Sequence, residues 1–316
     1  MSARSGNVGT SYQKAKQDTD NINRFIELQG RLLNHYGVEA ESRFVNLRQP
    51  KIRIHVLEAG EGEPVVIFHG GDGEAVNWAP LMNRLQHQVR IYALDRPGFG
   101  LSDAFDYKSV DLRTHAEDVV ESLLDALELE KATLIGGSMG GFFALAGALG
   151  HPERVKKVVL VGLAAGAISQ IPESLKRLCE NPLLAEEFMK GRDNLEAQKS
   201  QYREMFHTDP ALVPDLYFET RIAGLRLPSE RGTWATLLPR LGEPNVYLGE
   251  ALRAMRTPTL ILWGDYEMAP PEVGRDIANQ IPCAQFEHLP GIGHFPFLQV
   301  PDLTANLIVE FLKDAR

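Results

Sequence analysis

The chain has 316 residues, of which 44% are hydrophobic and 24% are charged, as in an ordinary globular protein. Its net charge of −9 argues against a nucleic-acid-binding surface and favours a soluble cytoplasmic protein. No apolar run reaches the roughly 18 residues that span a bilayer, so we expect neither a signal peptide nor membrane attachment. Cys179 and Cys283 have no CxxC motif or histidine cluster near them. We therefore expect free thiols, no metal site and no cofactor.

The first predicted element is an amphipathic helix near the N-terminus. Between residues 21 and 36, apolar residues recur at steps of three and four, with Gly30 inside the pattern. The residues that define this stripe are Ile22, Phe25, Leu28 and Leu32. We predict a helical extension over residues 1–42 that packs either on the edge of a sheet or on a second copy in a homodimer.

Short apolar runs then alternate with helical periodicity over residues 43–164, and again over residues 251–316. The predicted strands are Arg43–Leu47, Ile52–Glu58, Val65–Phe68, Arg90–Leu94, Ala132–Ile135, Val155–Val161, Thr259–Trp263 and Ala284–Leu289. The predicted helices are Asp111–Leu129, Glu272–Asn279 and Asp302–Leu312. Such alternation predicts an α/β fold, in which helices cover both faces of a mostly parallel, doubly wound sheet.

Residues 165–250 interrupt this alternation and are rich in charges and prolines, with short helical patterns over Glu173–Cys179 and Ala185–Met189. We predict a helical cap, or lid, over one end of the sheet. Its aromatic residues Phe206, Phe218 and Trp234 are candidates for substrate binding, since binding sites are mostly apolar. Packing between the lid and the sheet explains them equally well.

The most informative motif is G-x-S-x-G at Gly136–Gly140, because it follows a predicted strand and precedes an apolar helical run. Flanking glycines permit a sharp turn, which leaves Ser138 exposed at the edge of the sheet in a strained conformation. The helix that follows points its free N–H groups and positive dipole end at the same place. This context indicates a nucleophilic serine.

A serine hydroxyl is a weak nucleophile unless a base accepts its proton. His294 follows two glycines in a tight loop before the last predicted helix, and we predict that it is this base. The strand Thr259–Trp263 ends near two carboxylates, Asp265 and Glu267, one of which is expected to orient the imidazole.

The glycines of His69-Gly70-Gly71 close another predicted strand with a backbone that carries no side chains. Such a turn can present an N–H group to a cavity. We predict that the amides of Gly71 and Met139 form an oxyanion hole, in which each donor contributes roughly 3 kcal/mol to transition-state stabilisation.

These residues and their order along the chain resemble the α/β-hydrolase superfamily. The resemblance covers roughly residues 43–314 and includes the segments Asp95–Asp103 and Gly137–Gly141. It implies a Ser–His–acid triad with a lid that forms the substrate pocket. Family members usually carry Asp at the third position after the glycine of the acid loop, where this chain has Glu267. We predict Glu267 as the triad acid, with Asp265 as the alternative.

Ser138 argues against the branches of the superfamily that use a carboxylate nucleophile. The segments Ser138–Gly141 and Asp95–Gly100 resemble those of carboxylesterases and of hydrolases that cleave carbon–carbon bonds in ring-fission products. The glycine turn also resembles that of proline iminopeptidases, but Met139 replaces their typical tryptophan. We predict an esterase that acts on a small-molecule substrate. The enzymatic alternatives are hydrolysis of a carbon–carbon bond and a peptidase activity like that of proline iminopeptidases.

Cleavage of a carbon–carbon bond in a ketoacid predicts a basic pocket, for which the lid supplies several arginines. These are Arg221, Arg226, Arg231 and Arg240. A solvated helical face is the simpler interpretation of the four. A ligand receptor that retains the fold without turnover is the alternative from another functional class.

Overall fold

The computed structural model describes residues 6–71, 73–168, 171 and 173–314. Within these residues, the strands are β1 (Ala40–Leu47), β2 (Ile52–Ala59), β3 (Pro64–Phe68), β4 (Arg90–Leu94), β5 (Ala132–Ser138), β6 (Val155–Ala164), β7 (Thr259–Gly264) and β8 (Ala284–Leu289). They form one sheet in the order β1-β2-β4-β3-β5-β6-β7-β8. Strand β2 is antiparallel to both of its neighbours, and every other neighbouring pair is parallel. The predicted, mostly parallel sheet is confirmed.

Helices cover the sheet and fill the insertion between β6 and β7. They are α1 (Gly6–Tyr36), α2 (Ala79–Leu85), α3 (Leu112–Ala126), α4 (Met139–Gly150), α5 (Glu173–Glu180), α6 (Pro182–Lys190), α7 (Leu195–Glu204), α8 (Asp215–Leu225), α9 (Thr233–Leu237), α10 (Gly249–Leu252), α11 (Pro271–Gln280), α12 (Pro296–Gln299) and α13 (Pro301–Lys313). Most predicted elements appear within a few residues of their expected bounds. Strand β5 is longer than predicted, because it continues through the glycines to Ser138.

Side chains that alternate along each strand divide the core between the two faces of the sheet. On β3, Val66 and Phe68 pack with α3 and α4, whereas Val65 and Ile67 pack with α1, α2 and α13. All four side chains are buried. Because both faces are covered, β3 and β7 are almost entirely apolar, and the candidate site residues lie at or beyond the carboxyl ends of strands.

Helix α1 is longer than predicted, because it begins at Gly6 and not near Asn21. Its apolar stripe packs on α2 and α8 of the same chain. The side-chain amide of Asn21 donates to the carbonyl oxygen of Arg226 at 3.1 Å, and Asp18 pairs with Arg231. Helix α1 therefore joins the core to the insertion. The homodimer remains a prediction, and residues 1–5 lie outside the described part of the chain.

The insertion consists of the short helices α5–α10, and side chains from it form a cavity with the carboxyl ends of the strands. One close contact with the core is at Gly293, where an added Cβ would lie 2.3 Å from the carbonyl oxygen of His207. The amide of His294 also donates to the carbonyl oxygen of Phe206 at 2.9 Å. These contacts hold the histidine loop against the insertion. The exact domain division at residues 165 and 250 stays a prediction.

Candidate active site

Ser138 ends β5 and directly precedes α4. Its φ of 53° and ψ of −124° are rare for a residue with a side chain, as a strained strand-to-helix turn requires. An added Cβ on Gly136 would lie 2.3 Å from the carbonyl carbon of Gly140, and one on Gly140 would lie 1.9 Å from the carbonyl oxygen of Phe68. Only glycine fits at these two places, so the motif fixes Ser138 at the carboxyl end of β5.

His294 and Glu267 form a buried pair. Nδ1 of His294 lies 2.6 Å from Oε1 of Glu267. The amide of Leu163 donates to Oε2 of the same carboxylate at 2.8 Å, and the amide of Met268 donates to Oε1 at 2.7 Å. Burial alone would raise the pKa of Glu267, but the charge of His294 and these hydrogen bonds hold it below its usual value. An ionised carboxylate therefore orients the imidazole.

Asp265 makes different contacts. Its carboxylate lies 2.6 Å from Nε2 of His288 and accepts a hydrogen bond from the amide of Gly291, also at 2.6 Å. The bond from Gly291, followed by that from His288, lowers the pKa of Asp265. About a third of its side chain is exposed. The structure thus brings Glu267 and not Asp265 to His294, although the catalytic role of Glu267 stays a prediction.

The predicted oxyanion turn lies against the serine. An added Cβ on Gly70 would lie 3.3 Å from Cβ of Ser138, and both Gly71 and Met139 line the same cavity as Ser138. Because Met139 is the first residue of α4, its amide has no partner within the helix. Both predicted donors therefore lie beside the cavity that Ser138 enters.

The side chain of Arg96 binds the backbone of this turn, a role that no local sequence pattern indicates. Its Nε donates to the carbonyl oxygen of His69 at 3.0 Å and its Nη2 to that of Gly70 at 2.9 Å, while its amide donates to Nε2 of His69 at 2.9 Å. The guanidinium is fully buried over the rings of Phe99 and Phe143. Burial lowers the pKa of Arg96 to about 10, so it remains charged at neutral pH.

A cavity of about 100 Å³ lies over Ser138 and His294. Its wall is mostly apolar and includes Phe206 and Trp234, whose role in substrate binding stays a prediction. The ring of Phe206 stacks on that of His294 with centroids 5.3 Å apart. Phe218 does not line this cavity, and its role in substrate binding stays a prediction. Its ring is fully buried and packs edge-on against Tyr202 and Tyr217, because α8 turns that face inward.

None of the four arginines proposed for a basic pocket lines this cavity. Arg221 is fully buried and pairs with Glu74 and Glu230. The other three also bind groups of this chain. Arg226 donates to the carbonyl oxygen of Asp193, Arg231 to the carboxylate of Asp18, and Arg240 to the carbonyl oxygen of Val110. The basic residue that does reach the cavity is Arg192, which the sequence analysis missed because it lies in an irregular segment after α6.

A metal cluster and a membrane-spanning helix are both absent from the described residues. No cluster of three or more His, Cys, Asp or Glu side chains has the arrangement of a metal site. None of the described helices is both long and apolar enough to cross a membrane.

Comparison with known proteins identifies the family of this chain. Residues 63–301 match the family model of the alpha/beta hydrolase fold. Among curated proteins, a 2-hydroxy-6-oxo-6-phenylhexa-2,4-dienoate hydrolase of Burkholderia cepacia is 31% identical, over 86% of this chain and 96% of the relative. A 2-hydroxymuconate semialdehyde hydrolase of Pseudomonas sp. strain CF600 is 30% identical, over 84% and 92%.

Solved structures share the architecture. Carboxylesterase CesB from Bacillus subtilis superimposes with a TM-score of 0.75 at 22% identity, over 93% of this chain and 99% of that one. A meta-cleavage product hydrolase from Pseudomonas fluorescens gives a TM-score of 0.72 at 25% identity, over 87% and 98%. The fold, the strained serine turn and the family match agree, and the chain belongs to the alpha/beta hydrolase fold family.

Proposed function

We propose that this protein is a cytoplasmic serine esterase that hydrolyses a small-molecule ester through an acyl-enzyme on Ser138. The observation that carries the proposal is the shared cavity. Ser138, His294 and both predicted oxyanion donors line one mostly apolar space, and the carboxylate of Glu267 binds the far side of the imidazole. An apolar wall suits an uncharged ester better than a charged substrate.

The proposed reaction has two steps. Because Nδ1 of His294 faces Glu267, Nε2 is free to take the proton of Ser138 as Oγ attacks the ester carbonyl carbon. The amides of Gly71 and Met139 stabilise the oxyanion. The C–O bond then breaks and the alcohol leaves with the proton from His294. A water molecule then gives a proton to His294 and attacks the acyl-enzyme. The bond to Oγ breaks, the acid is released, and His294 returns the proton to Ser138.

A wider cleft adjoins the catalytic cavity and gives a substrate a path to Ser138. It has a volume of about 590 Å³ and shares Leu178, Phe188, Met205 and Met268 with the wall of the catalytic cavity. We infer that the larger group of the substrate lies in this cleft while the reacting carbonyl carbon reaches Ser138.

A second candidate is hydrolysis of a carbon–carbon bond in a ring-fission product. Two observations favour it, namely the names of the 31% and 30% identical relatives and the position of Arg192 on the wall of the cavity. Burial lowers the pKa of Arg192 to about 9, so the guanidinium remains a cation at neutral pH. A substrate with a carboxylate has a counter-charge there.

One substrate panel distinguishes these candidates. It contains the p-nitrophenyl esters of acetate, butyrate and hexanoate together with 2-hydroxy-6-oxo-6-phenylhexa-2,4-dienoate. Wild type, Ser138→Ala and a control variant, Ser109→Ala at an exposed serine, are compared. The esterase proposal predicts the highest kcat/KM on an ester and a loss of at least about 1,000-fold in Ser138→Ala only. A dienoate turned over roughly 100-fold faster than any ester would establish the second candidate instead. Turnover that survives Ser138→Ala would contradict both.

A further inference from the structure

Glu74, Arg221 and Glu230 form an ion cluster from which solvent is excluded. Glu74 and Arg221 are fully buried and Glu230 is 4% exposed. Nη1 of Arg221 donates to Oε1 of Glu74 and, at 3.1 Å, to Oε1 of Glu230. Nη2 donates to Oε2 of Glu230 at 3.2 Å. One guanidinium therefore binds two carboxylates from different parts of the chain.

The cluster connects the oxyanion turn with the insertion. Glu74 lies three residues after Gly71, and its amide donates to Oδ1 of Asn77 at 2.7 Å, which fixes the backbone at Glu74. Arg221 belongs to α8, and Glu230 lies in the segment between α8 and α9. Helix α9 carries Trp234, whose ring lies so close to Gly71 that an added Cβ would be 2.8 Å from Cη2. The insertion therefore contacts Gly71 through Trp234 and Glu74 through Arg221.

Helix α8 is shaped to admit Glu74. An added Cβ on Gly224 would lie 1.8 Å from Oε1 of Glu74 and 3.0 Å from Nη1 of Arg221. Any side chain at this position would therefore occupy the space that the carboxylate takes. A glycine in a helix is unfavourable by itself, so its presence here indicates a specific requirement.

The charges of the cluster favour a positioning role over substrate binding. Burial raises the pKa of Glu74 well above its usual value, although Arg221 opposes this and Glu230 adds to it. Since Arg221 is absent from the wall of the catalytic cavity, an anionic substrate group would have to displace a buried carboxylate to reach it.

We propose that Glu74 is a positioning residue, which acts through Arg221 to hold the Gly70-Gly71 turn against Ser138. This inference rests on the proposed function only insofar as Ser138 is the nucleophile. It assigns no chemical step to Glu74. Disturbing the contact should slow the step that develops an oxyanion, while reversible binding in the cavity stays the same.

The test measures phosphonylation of Ser138 by a fluorophosphonate over a concentration series, which separates the dissociation constant KI from the rate constant kinact. Gly224→Ala displaces the Glu74 carboxylate without removing a charge. Gly30→Ala is the matched control, because an added Cβ there has no neighbour within 4 Å. Glu74→Ala and Glu74→Gln form a second pair, since the amide retains an oxygen acceptor for Arg221 and alanine does not. Rates are expressed per folded molecule, measured by circular dichroism.

We expect kinact to fall at least about tenfold in Gly224→Ala and Glu74→Ala, with KI within about threefold of wild type. Gly30→Ala should match wild type, and Glu74→Gln should recover most of the loss. Equal kinact in Gly224→Ala and Gly30→Ala would overturn the proposal, whatever their melting temperatures. If Gly224→Ala does not fold, equal kinact in Glu74→Ala and Glu74→Gln would overturn it. If the fluorophosphonate labels Ser138 but no ester is turned over, only the esterase assignment is refuted. If wild type is not labelled, the esterase assignment and the positioning role of Glu74 are both refuted.

Discussion

Nδ1 of His294 and Oε1 of Glu267 lie 2.6 Å apart, and both side chains are almost completely buried. The carboxylate also accepts hydrogen bonds from the amides of Leu163 and Met268, so its orientation is fixed independently of the histidine. Leu163 belongs to β6 and Met268 follows β7, which are neighbours in the sheet. The acid is therefore held by the sheet itself, and the imidazole is held by the acid.

The first prediction concerns which carboxylate is the triad acid. Glu267→Gln should reduce kcat by roughly 1,000- to 10,000-fold, because the amide no longer stabilises the imidazolium or its correct tautomer. Asp265→Asn should change kcat by less than about threefold, because Asp265 binds His288 and Gly291 instead. Steady-state kinetics on the best ester of the panel measures both. Comparable small losses in the two variants would show that the acid lies elsewhere.

The second prediction concerns stability in acid. The pKa of Glu267 is below its ordinary value of 4.5 in the folded protein, so this group stabilises the fold above that value. The contribution disappears as pH falls through the folded pKa. Wild type should therefore melt at a higher temperature than Glu267→Gln. This difference should be largest above about pH 5 and should shrink at lower pH. A difference that is the same from neutral pH down to pH 3 would contradict the assigned direction.

The third prediction concerns Trp234, which separates two spaces. The catalytic cavity is about 100 Å³, and a cleft of about 600 Å³ on the insertion shares Trp234 and Leu238 with it. Trp234→Ala should join the two and raise kcat/KM for an octanoate ester relative to acetate by at least about tenfold. Using the ratio within one variant cancels any loss from the nearby oxyanion turn. An unchanged ratio would mean that the acyl group does not lie beside this ring.

The fourth prediction separates Phe206 from Phe218. Phe218→Ala should destabilise the fold by about 3–5 kcal/mol in denaturant titration, because it leaves a cavity among Tyr202 and Tyr217. Its kcat per folded molecule should stay within about threefold of wild type. Phe206→Ala should reduce kcat by about tenfold or more, because the ring supports the plane of His294. The reverse pattern would place Phe218 at the substrate.

The sheet and the order of the site residues could be predicted from the sequence because they depend on local signals. Apolar runs define the strands, and the Gly136–Gly140 motif and the glycines before His294 mark the turns at their ends. The sequence predicts a shorter β5, because glycines often end a strand, whereas here they continue it to Ser138. Helix α1 was predicted too short for a similar reason, since residues 6–20 have no apolar periodicity.

Contacts across the insertion could not be predicted, because they depend on how short helices face one another. Arg221 has the same sequence surroundings as an exposed helical arginine, yet it is fully buried between Glu74 and Glu230. Its partners are 147 and nine residues away along the chain. Arg192 reaches the cavity from a segment without periodicity. Long-range pairing of this kind has no local pattern in a single sequence.

The central claim is that an acyl-enzyme forms on Ser138, and mass spectrometry of the protein quenched during ester turnover tests it most directly. The account predicts that the intact protein gains the mass of the acyl group with loss of the alcohol, and that the adduct maps to Ser138. Ser138→Ala should gain no mass, while Glu267→Gln should form the same adduct more slowly. Ester turnover without an adduct, or an adduct on another residue, would contradict the claim.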